Sequence, residues 1–291
     1  MTVETVCVEV AVRDDPGLLD ALDSLDRQQR RPERVLVAAS LATPQALVDE
    51  AQRRFPHLPL VFRRYSGGVV DARAASLGEI RESVTAFLDS DERAPPEWLA
   101  RLVAPLETGP FVFSGGPTKP TRPPQGSIER YMVLLEASIY AELVPRRVSY
   151  LPLQNTAWRT ERLRELGFDR RIPFAEDHDV EVRAARAGGV GTFVPDAWVY
   201  HDKSAESSLP RWARKRYRYN VALAMSMIKN GELRGRLSER RTPVAHPLRY
   251  LEAVMKPVAL LDAQLRWRRV ARTPFPPPAA SAGPPSRPGS G

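Results

Sequence analysis

Four short runs of apolar residues, Val3 to Val12, Arg34 to Ala39, Leu58 to Phe62 and Val84 to Leu88, each end in turn-forming or polar residues. That is the pattern of strands buried on both faces. Between them lie segments with helical spacing: Leu18 to Gln29, where Leu18, Leu22 and Leu25 share a face, then Pro44 to Phe55, and Asp71 to Glu82. Repeated strand and helix predict a doubly wound α/β fold, a mostly parallel sheet with helices on both faces and right-handed crossovers. In such sheets ligands bind beyond the carboxyl ends of the strands, so polar residues directly after a strand are the first candidates for chemistry.

From Phe111 to His201 the pattern is more mixed. It predicts strands at Phe111 to Phe113, Val148 to Leu153, Val190 to Val194 and Ala197 to Tyr200, with helices at Ile128 to Leu143 and from about Glu176 to Ala187. Pro210 opens a helix rich in arginine and aromatic residues, and His246 to Val270 reads as a basic, partly amphipathic helix. Thr273 to Gly291 holds seven prolines among serine, glycine and alanine, the composition of a disordered tail. The expected division is a catalytic domain over 1–210, a helical extension over 211–272 and the tail over 273–291.

With 291 residues, 43% hydrophobic and 27% charged, the chain has the composition of a protein with a packed core. Its longest apolar stretches fall far short of the roughly 20 residues needed to cross a bilayer. The amino terminus carries Glu4 and Glu9 without the basic-then-apolar pattern of a secretory signal, so a cytoplasmic location is expected. Cys7, the single cysteine, excludes an internal disulfide and a thiolate metal cluster, and its apolar surroundings suit a small core residue. The net charge of +8 fits phosphate-bearing substrates, nucleic acid or an anionic membrane. Because the arginines are dispersed and no recognised module is present, no nucleic-acid partner is expected.

Three groups of residues carry candidate chemistry. Asp89-Ser90-Asp91 places two carboxylates just after an apolar strand, where they suit either a solvated turn or a hard cation such as Mg²⁺ or Mn²⁺ bridged to substrate phosphates. Glu176-Asp177-His178-Asp179 opens a helix, where acidic residues satisfy free N–H groups and oppose the dipole, or where one carboxylate serves as a general base. His201 ends a strand, as a structural residue or a metal ligand.

Taken in order, these pieces resemble the inverting glycosyltransferases of family 2, which have the GT-A fold. The first half offers Leu22 to Gln29 before Pro32 and the second strand, an Ala72-Arg73 element, and the strand ending in Asp-x-Asp. The second half matches through Asn155-Thr156-Ala157-Trp158-Arg159, Gly167-Phe168-Asp169, Glu176-Asp177-His178-Asp179, Arg183, and Pro195-Asp196-Ala197 with His201 nearby. The resemblance covers roughly residues 3 to 220. It implies that Asp89 and Arg73 lie on the donor side, that Asp91, with Asp89 and His201, binds Mn²⁺ or Mg²⁺, and that Asp177 is the base, with Glu176 and Asp179 on the acceptor side. The implied partners are a nucleoside-diphosphate sugar and an acceptor hydroxyl on a glycan, a lipid-linked molecule or a small molecule.

The chain departs from the family where the second strand ends in Val37-Ala38-Ala39-Ser40 instead of one or two aspartates before a serine. Arg13-Asp14-Asp15 follows the first strand, and Asp14 or Asp15 is the candidate to supply the missing polarity on the donor side. A non-catalytic GT-A-like module that binds a sugar or a partner is the alternative this departure raises, although such a module would have little reason to keep Asp89, Asp91 and Asp177. A sugar-phosphate nucleotidyltransferase shares the architecture but needs a glycine-rich loop that is missing from Val10 to Leu18. The arginine and aromatic pairs of Arg211 to Tyr219 match the Q-x-x-R-W element of processive members too loosely to assign processive synthesis. In the last helix, Arg249, Lys256, Arg266, Arg268 and Arg269 surround Leu251, Val254, Leu260, Leu261, Leu265 and Trp267. The helix suits a peripheral contact with the inner face of an anionic membrane, or packing of its apolar residues on the catalytic domain.

Overall fold

The computed structural model describes residues 4–141, 143, 147–148, 150–204, 208–232 and 246–274. The tail expected over 273–291 falls, from residue 275 on, outside the described residues, and so does Val3 at the start of the first expected strand.

The amino-terminal half alternates as its pattern requires: β1 (Val6–Val12), α1 (Leu18–Asp26), β2 (Arg34–Ser40), α2 (Gln45–Arg54), β3 (Leu60–Tyr65), α3 (Val69–Leu77) and β4 (Val84–Asp89). These four strands are parallel and adjacent in the order β3-β2-β1-β4. Strand side chains point alternately to the two faces. Val6, Val8 and Val10 therefore join Leu18, Leu22 and Leu25 of α1 in one core, while Cys7 faces Ile80 on the other side. Helix α3 starts two residues earlier than the pattern predicts because Asp71 Oδ2 accepts the Gly68 N–H at 2.9 Å and caps the first turn.

The sheet continues through β9 (Asn155–Arg159), β6 (Phe113–Gly115), β10 (Gly191–Phe193) and β8 (Arg147–Val148), giving eight strands in the order β3-β2-β1-β4-β9-β6-β10-β8. Strand β9 runs antiparallel to both β4 and β6, and β8 antiparallel to β10, so the other six strands share one direction. The expected mostly parallel, doubly wound sheet is the observed one. A second sheet of three strands has the order β5-β11-β7, formed by β5 (Glu92–Arg93), β7 (Thr118–Pro120) and β11 (Val199–His201).

Helix α4 (Trp98–Thr108) buries Leu99, Leu102, Val103 and Leu106 against the α1 face of the sheet. On the opposite face, α5 (Ser127–Ala141), α6 (Thr160–Leu166) and α7 (Glu176–Arg186) gather around Phe87, Phe113 and Trp158. Phe113 and Trp158 stack at 4.4 Å, a pairing that adds about 0.5–1.5 kcal/mol to their burial. Where the sequence predicts a strand from Val148 to Leu153, the described residues form only the two-residue β8, paired with β10; the longer strand, β9, lies just downstream.

After the sheets, α8 (Leu209–Lys229) and α9 (Pro247–Val270) pack on each other through Val221, Ala224, Met225, Ala259 and Ala263. Trp212 of α8 lies edge-on to Tyr131 of α5, and Ala222 of α8 packs with Ile172 and Ala175 just ahead of α7. The helical pair is thus fastened to the elements that carry the acidic motifs. No described helix is long and apolar enough to cross a membrane.

Candidate active site

Strand β4 ends at Asp89, which lies beside Ala11 in the parallel register with β1. The Asp89-Ser90-Asp91 turn therefore opens at the carboxyl ends of the central strands, the position the sequence singled out. Neighbours fix the turn closely. Ser90 Oγ donates to Asp15 Oδ2 at 2.7 Å, and Gly17 N–H donates to Asp15 Oδ1 at 2.9 Å. A Cβ on Gly17 would sit 2.9 Å from the Ser90 carbonyl oxygen, so glycine permits the approach of α1 to the turn. From the other side the Asp89 N–H donates to Glu92 Oε2 at 3.1 Å. Asp15 is thus a support of the turn, whereas Asp14 is exposed.

Arg73 reaches this turn from α3 and is 5% exposed. Its Nη2 donates to Asp89 Oδ1 at 2.7 Å, its Nη1 to Glu176 Oε1, and its Nε lies 3.8 Å from Glu9 Oε2. Glu9 is fully buried on the α3 side of β1. Burial pushes its carboxyl up to about 7, with Asp89 and Glu176 adding to the shift against the pull of Arg73. Burial also raises Asp89, countered by Arg73 and reinforced by Asp91. For Arg73 burial disfavours the charge, but Asp89, Glu176 and Glu9 outweigh it and hold the guanidinium firmly protonated.

The head of α7 supplies the second carboxylate group. Ala175, with φ +58°, is the one non-glycine residue of positive φ among the described residues. An L-residue in that conformation costs roughly 1–2 kcal/mol. Strain of this kind gathers where a site over-determines the backbone, and here it sits just before Glu176 and Asp177. Glu176 is committed to Arg73. Asp177 is half-buried, and the Tyr150 hydroxyl donates to its Oδ2 at 3.2 Å. Tyr219 of α8 stands beside them, its hydroxyl 3.4 Å from that of Tyr150. Burial, with Glu176 close by, pushes the Asp177 carboxyl up to about 7. Asp179 lies elsewhere: it is 1% exposed, with Arg183, Lys229 and Asn230 around its two oxygens at 2.8 to 3.0 Å. The resemblance implied an acceptor-side position for Glu176 and Asp179, but both are held in buried ion pairs because the cations of α3, α7 and α8 converge on them.

The three-stranded sheet brings His201 to the metal candidate. In β11, His201 pairs with Glu92 of β5, directly after the acidic turn. His201 Nε2 lies 3.2 Å from Asp91 Oδ2, while Nδ1 faces Lys203 Nζ at 2.8 Å and Glu92 Oε1 at 3.6 Å. The Asp91 side chain is 40% exposed. Burial would raise Asp91, but the His201 hydrogen bond and the nearby positive charge of Lys203 prevail and hold it below the usual carboxylate range. An oxygen and a nitrogen donor thus converge at an open edge of the turn, a fit to Mn²⁺ or Mg²⁺ completed by other ligands. Among the described residues, no three His, Cys, Asp or Glu side chains form a ready-made ion cage.

Several motif residues prove to be scaffold. Asn155 Oδ1 accepts from Trp98 Nε1 at 2.7 Å, and its Nδ2 donates to the carbonyls of Ala197 and Pro117 at 2.9 and 3.1 Å. These bonds tie the approach to β11, and with it His201, to the main sheet. Arg183 Nη2 donates to the Gly167 carbonyl at 2.7 Å, beyond the end of α6. Asp169 is held by Arg171 and Lys229, which overcome its burial and lower its carboxyl to about 2. Sequence reasoning missed Glu9, Glu92, Tyr150, Lys203 and Tyr219 as parts of the site. For Glu9 the signal was present: an acid inside the apolar run Val6-Cys7-Val8-Glu9-Val10.

Comparison with known proteins agrees with this geometry. Residues 7–153 match the family model described as glycosyl transferase family 2. The succinoglycan biosynthesis protein ExoM of Rhizobium meliloti (strain 1021) is 27% identical over 265 residues, covering 84% of this chain and 79% of ExoM. The mannosyltransferase PcManGT from Pyrobaculum calidifontis, solved with GDP-Man and Mn²⁺, is similar with a TM-score of 0.61 at 20% identity, over 93% of this chain and 76% of that one. Glucosyl-3-phosphoglycerate synthase from Mycobacterium tuberculosis, solved with Mn²⁺, UDP and glucosyl-3-phosphoglycerate, gives 0.56 at 16% identity, over 78% and 80%. With the fold, the acidic turn and the family model in agreement over the same strands, the chain belongs to glycosyl transferase family 2 and is a glycosyltransferase with the GT-A fold.

Proposed function

We propose that the chain moves a sugar from a nucleoside-diphosphate sugar to an acceptor hydroxyl, with inversion at the anomeric carbon and with Mn²⁺ or Mg²⁺ bound. One observation carries this reading: a single guanidinium, Arg73, joins Asp89 of the acidic turn to Glu176, the neighbour of Asp177. Leaving-group chemistry and proton acceptance are thereby held at one end of one sheet.

Asp91 and His201 Nε2 would hold the ion, and the donor's phosphate oxygens would complete its shell, as is usual where one or two protein carboxylates bind Mg²⁺. Once bound, the ion supplies positive charge against a departing diphosphate. The presence of Mn²⁺ with GDP-Man in PcManGT supports this assignment. Asp89 keeps one oxygen on Arg73 and a third of its side chain exposed, at 33%, so its second oxygen is available to a ribose hydroxyl. Asp15 braces that turn, and its exposed neighbour Asp14 is the further acid assigned to the donor side. In the transfer, the acceptor oxygen bonds to the anomeric carbon as the bond from that carbon to the phosphate oxygen breaks. Asp177 takes the acceptor's proton, and the electron pair leaves on the nucleoside diphosphate. One displacement inverts the centre.

The base can be tested through pH. An acid raised to about 7 is mostly protonated below that value, and only its ionised form can accept a proton. The kcat/KM should therefore rise with pH and level off above about 7. The Tyr150 hydroxyl stabilises the ionised form by donating to it, so Tyr150→Phe should move the rise to higher pH. A rise that stays in place in Tyr150→Phe, or a flat profile from pH 5 to 9, would assign the proton to another group.

A further inference from the structure

The last helix has two apolar faces, and among the described residues only one of them is covered. Leu260, Trp267 and Val270 turn toward α8, and Glu252 is buried against Tyr131 and Arg216. Leu251, Val254, Val258, Leu261 and Leu265 turn outward, exposed by 39, 69, 57, 60 and 47%. Their spacing alternates three and four residues, which lays them in one stripe along α9, about 21 Å long at 1.5 Å per residue. A continuous exposed apolar stripe of this size marks an interaction surface.

We propose that this stripe seats the enzyme on an anionic lipid surface. Charge selects the occupant. The next position of the same stripe, Arg268, is exposed, flanked by exposed Arg266 and Arg269, with exposed Arg272 two residues past the end of the helix and exposed Lys256 farther back. The two acids of α9 are engaged: Glu252 is buried with Arg216, and Asp262 pairs with Arg266. A second copy of the chain would bring the same arginines to the contact without, among the described residues of that helix, an unengaged acid to receive them. Residues 276–291 hold no large apolar side chain to cover it. An apolar stripe ending in a cluster of arginines matches the acyl boundary beneath anionic headgroups.

The test is co-sedimentation of the full chain with vesicles of phosphatidylcholine alone and of phosphatidylcholine with phosphatidylglycerol. Binding is expected on the mixed vesicles at low salt, about tenfold weaker on phosphatidylcholine alone, and falling as salt screens the arginines. Val254→Glu with Leu261→Glu, both on exposed positions, should reduce binding about tenfold or more while the unfolding midpoint stays in place. Arg268→Gln with Arg272→Gln should remove the preference for the anionic lipid. The proposal is overturned if the wild type does not sediment with mixed vesicles at low salt, or if the glutamate variant binds as the wild type does. A dimer in sedimentation velocity that the glutamate variant dissolves, without vesicle binding, would overturn it in favour of a second copy. None of these outcomes depends on the donor or on Asp177.

Discussion

Asp177→Asn should bind the nucleotide sugar as the wild type does and lose about 10²–10⁴-fold in kcat, the span a positioned general base contributes. The amide is nearly the same shape, and its oxygen can still accept from one of the two donors to the carboxylate, the Tyr150 hydroxyl or the His178 N–H, so the head of α7 should keep its fold. It cannot take a proton. The neighbours cannot replace it either: Glu176 is held by Arg73, and Asp179 by Arg183, Lys229 and Asn230. Steady-state kinetics with donor affinity measured by calorimetry separates the two effects. Turnover within a few-fold of wild type would reduce Asp177 to a helix-terminal acid.

The second large effect is expected at the metal. Removing divalent ions should abolish turnover, and Asp91→Ala should lose the part of donor affinity that Mn²⁺ confers, on the order of 10²-fold or more if the ion's charge contributes several kcal/mol. Asp91 is partly exposed and makes no contact that the core needs, so the variant should fold. Calorimetry with and without chelator reads the effect. A wild-type donor affinity indifferent to chelator, or an Asp91→Ala variant that still gains affinity with Mn²⁺, would contradict the assignment.

The amino-terminal half was legible because its physics is local. Continuous apolar runs and strand-helix alternation lead directly to four parallel strands, and an acidic turn after β4 falls where such sheets bind ligands. Elsewhere the signals were not local. Helix α4 has apolar residues at 99, 102, 103 and 106, but Pro95, Pro96 and the internal Pro105 read as breakers, and no element was predicted there. Strand β9 is short and carries Asn155, a polar residue whose partners Trp98, Pro117 and Ala197 lie far away in the chain. The proximity of His201 to Asp91 comes from β5 pairing with β11, more than a hundred residues apart, which no periodicity can report. The arrangement of Glu9, Arg73, Asp89 and Glu176 likewise exists only in three dimensions. Conversely, Asn155, Asp169 and Arg183, recognised as motif residues, turn out to hold the elements that carry the site and not to line it.

The most direct test of the central claim is a panel of nucleoside-diphosphate sugars offered to the purified full chain with Mn²⁺, with release of nucleoside diphosphate measured and the product of the active donor examined by proton NMR. Release is expected from at least one donor, with loss of that release on chelation and a transferred sugar whose anomeric carbon has the configuration opposite to the donor's. Release without metal, or a product that keeps the donor's configuration, would contradict it.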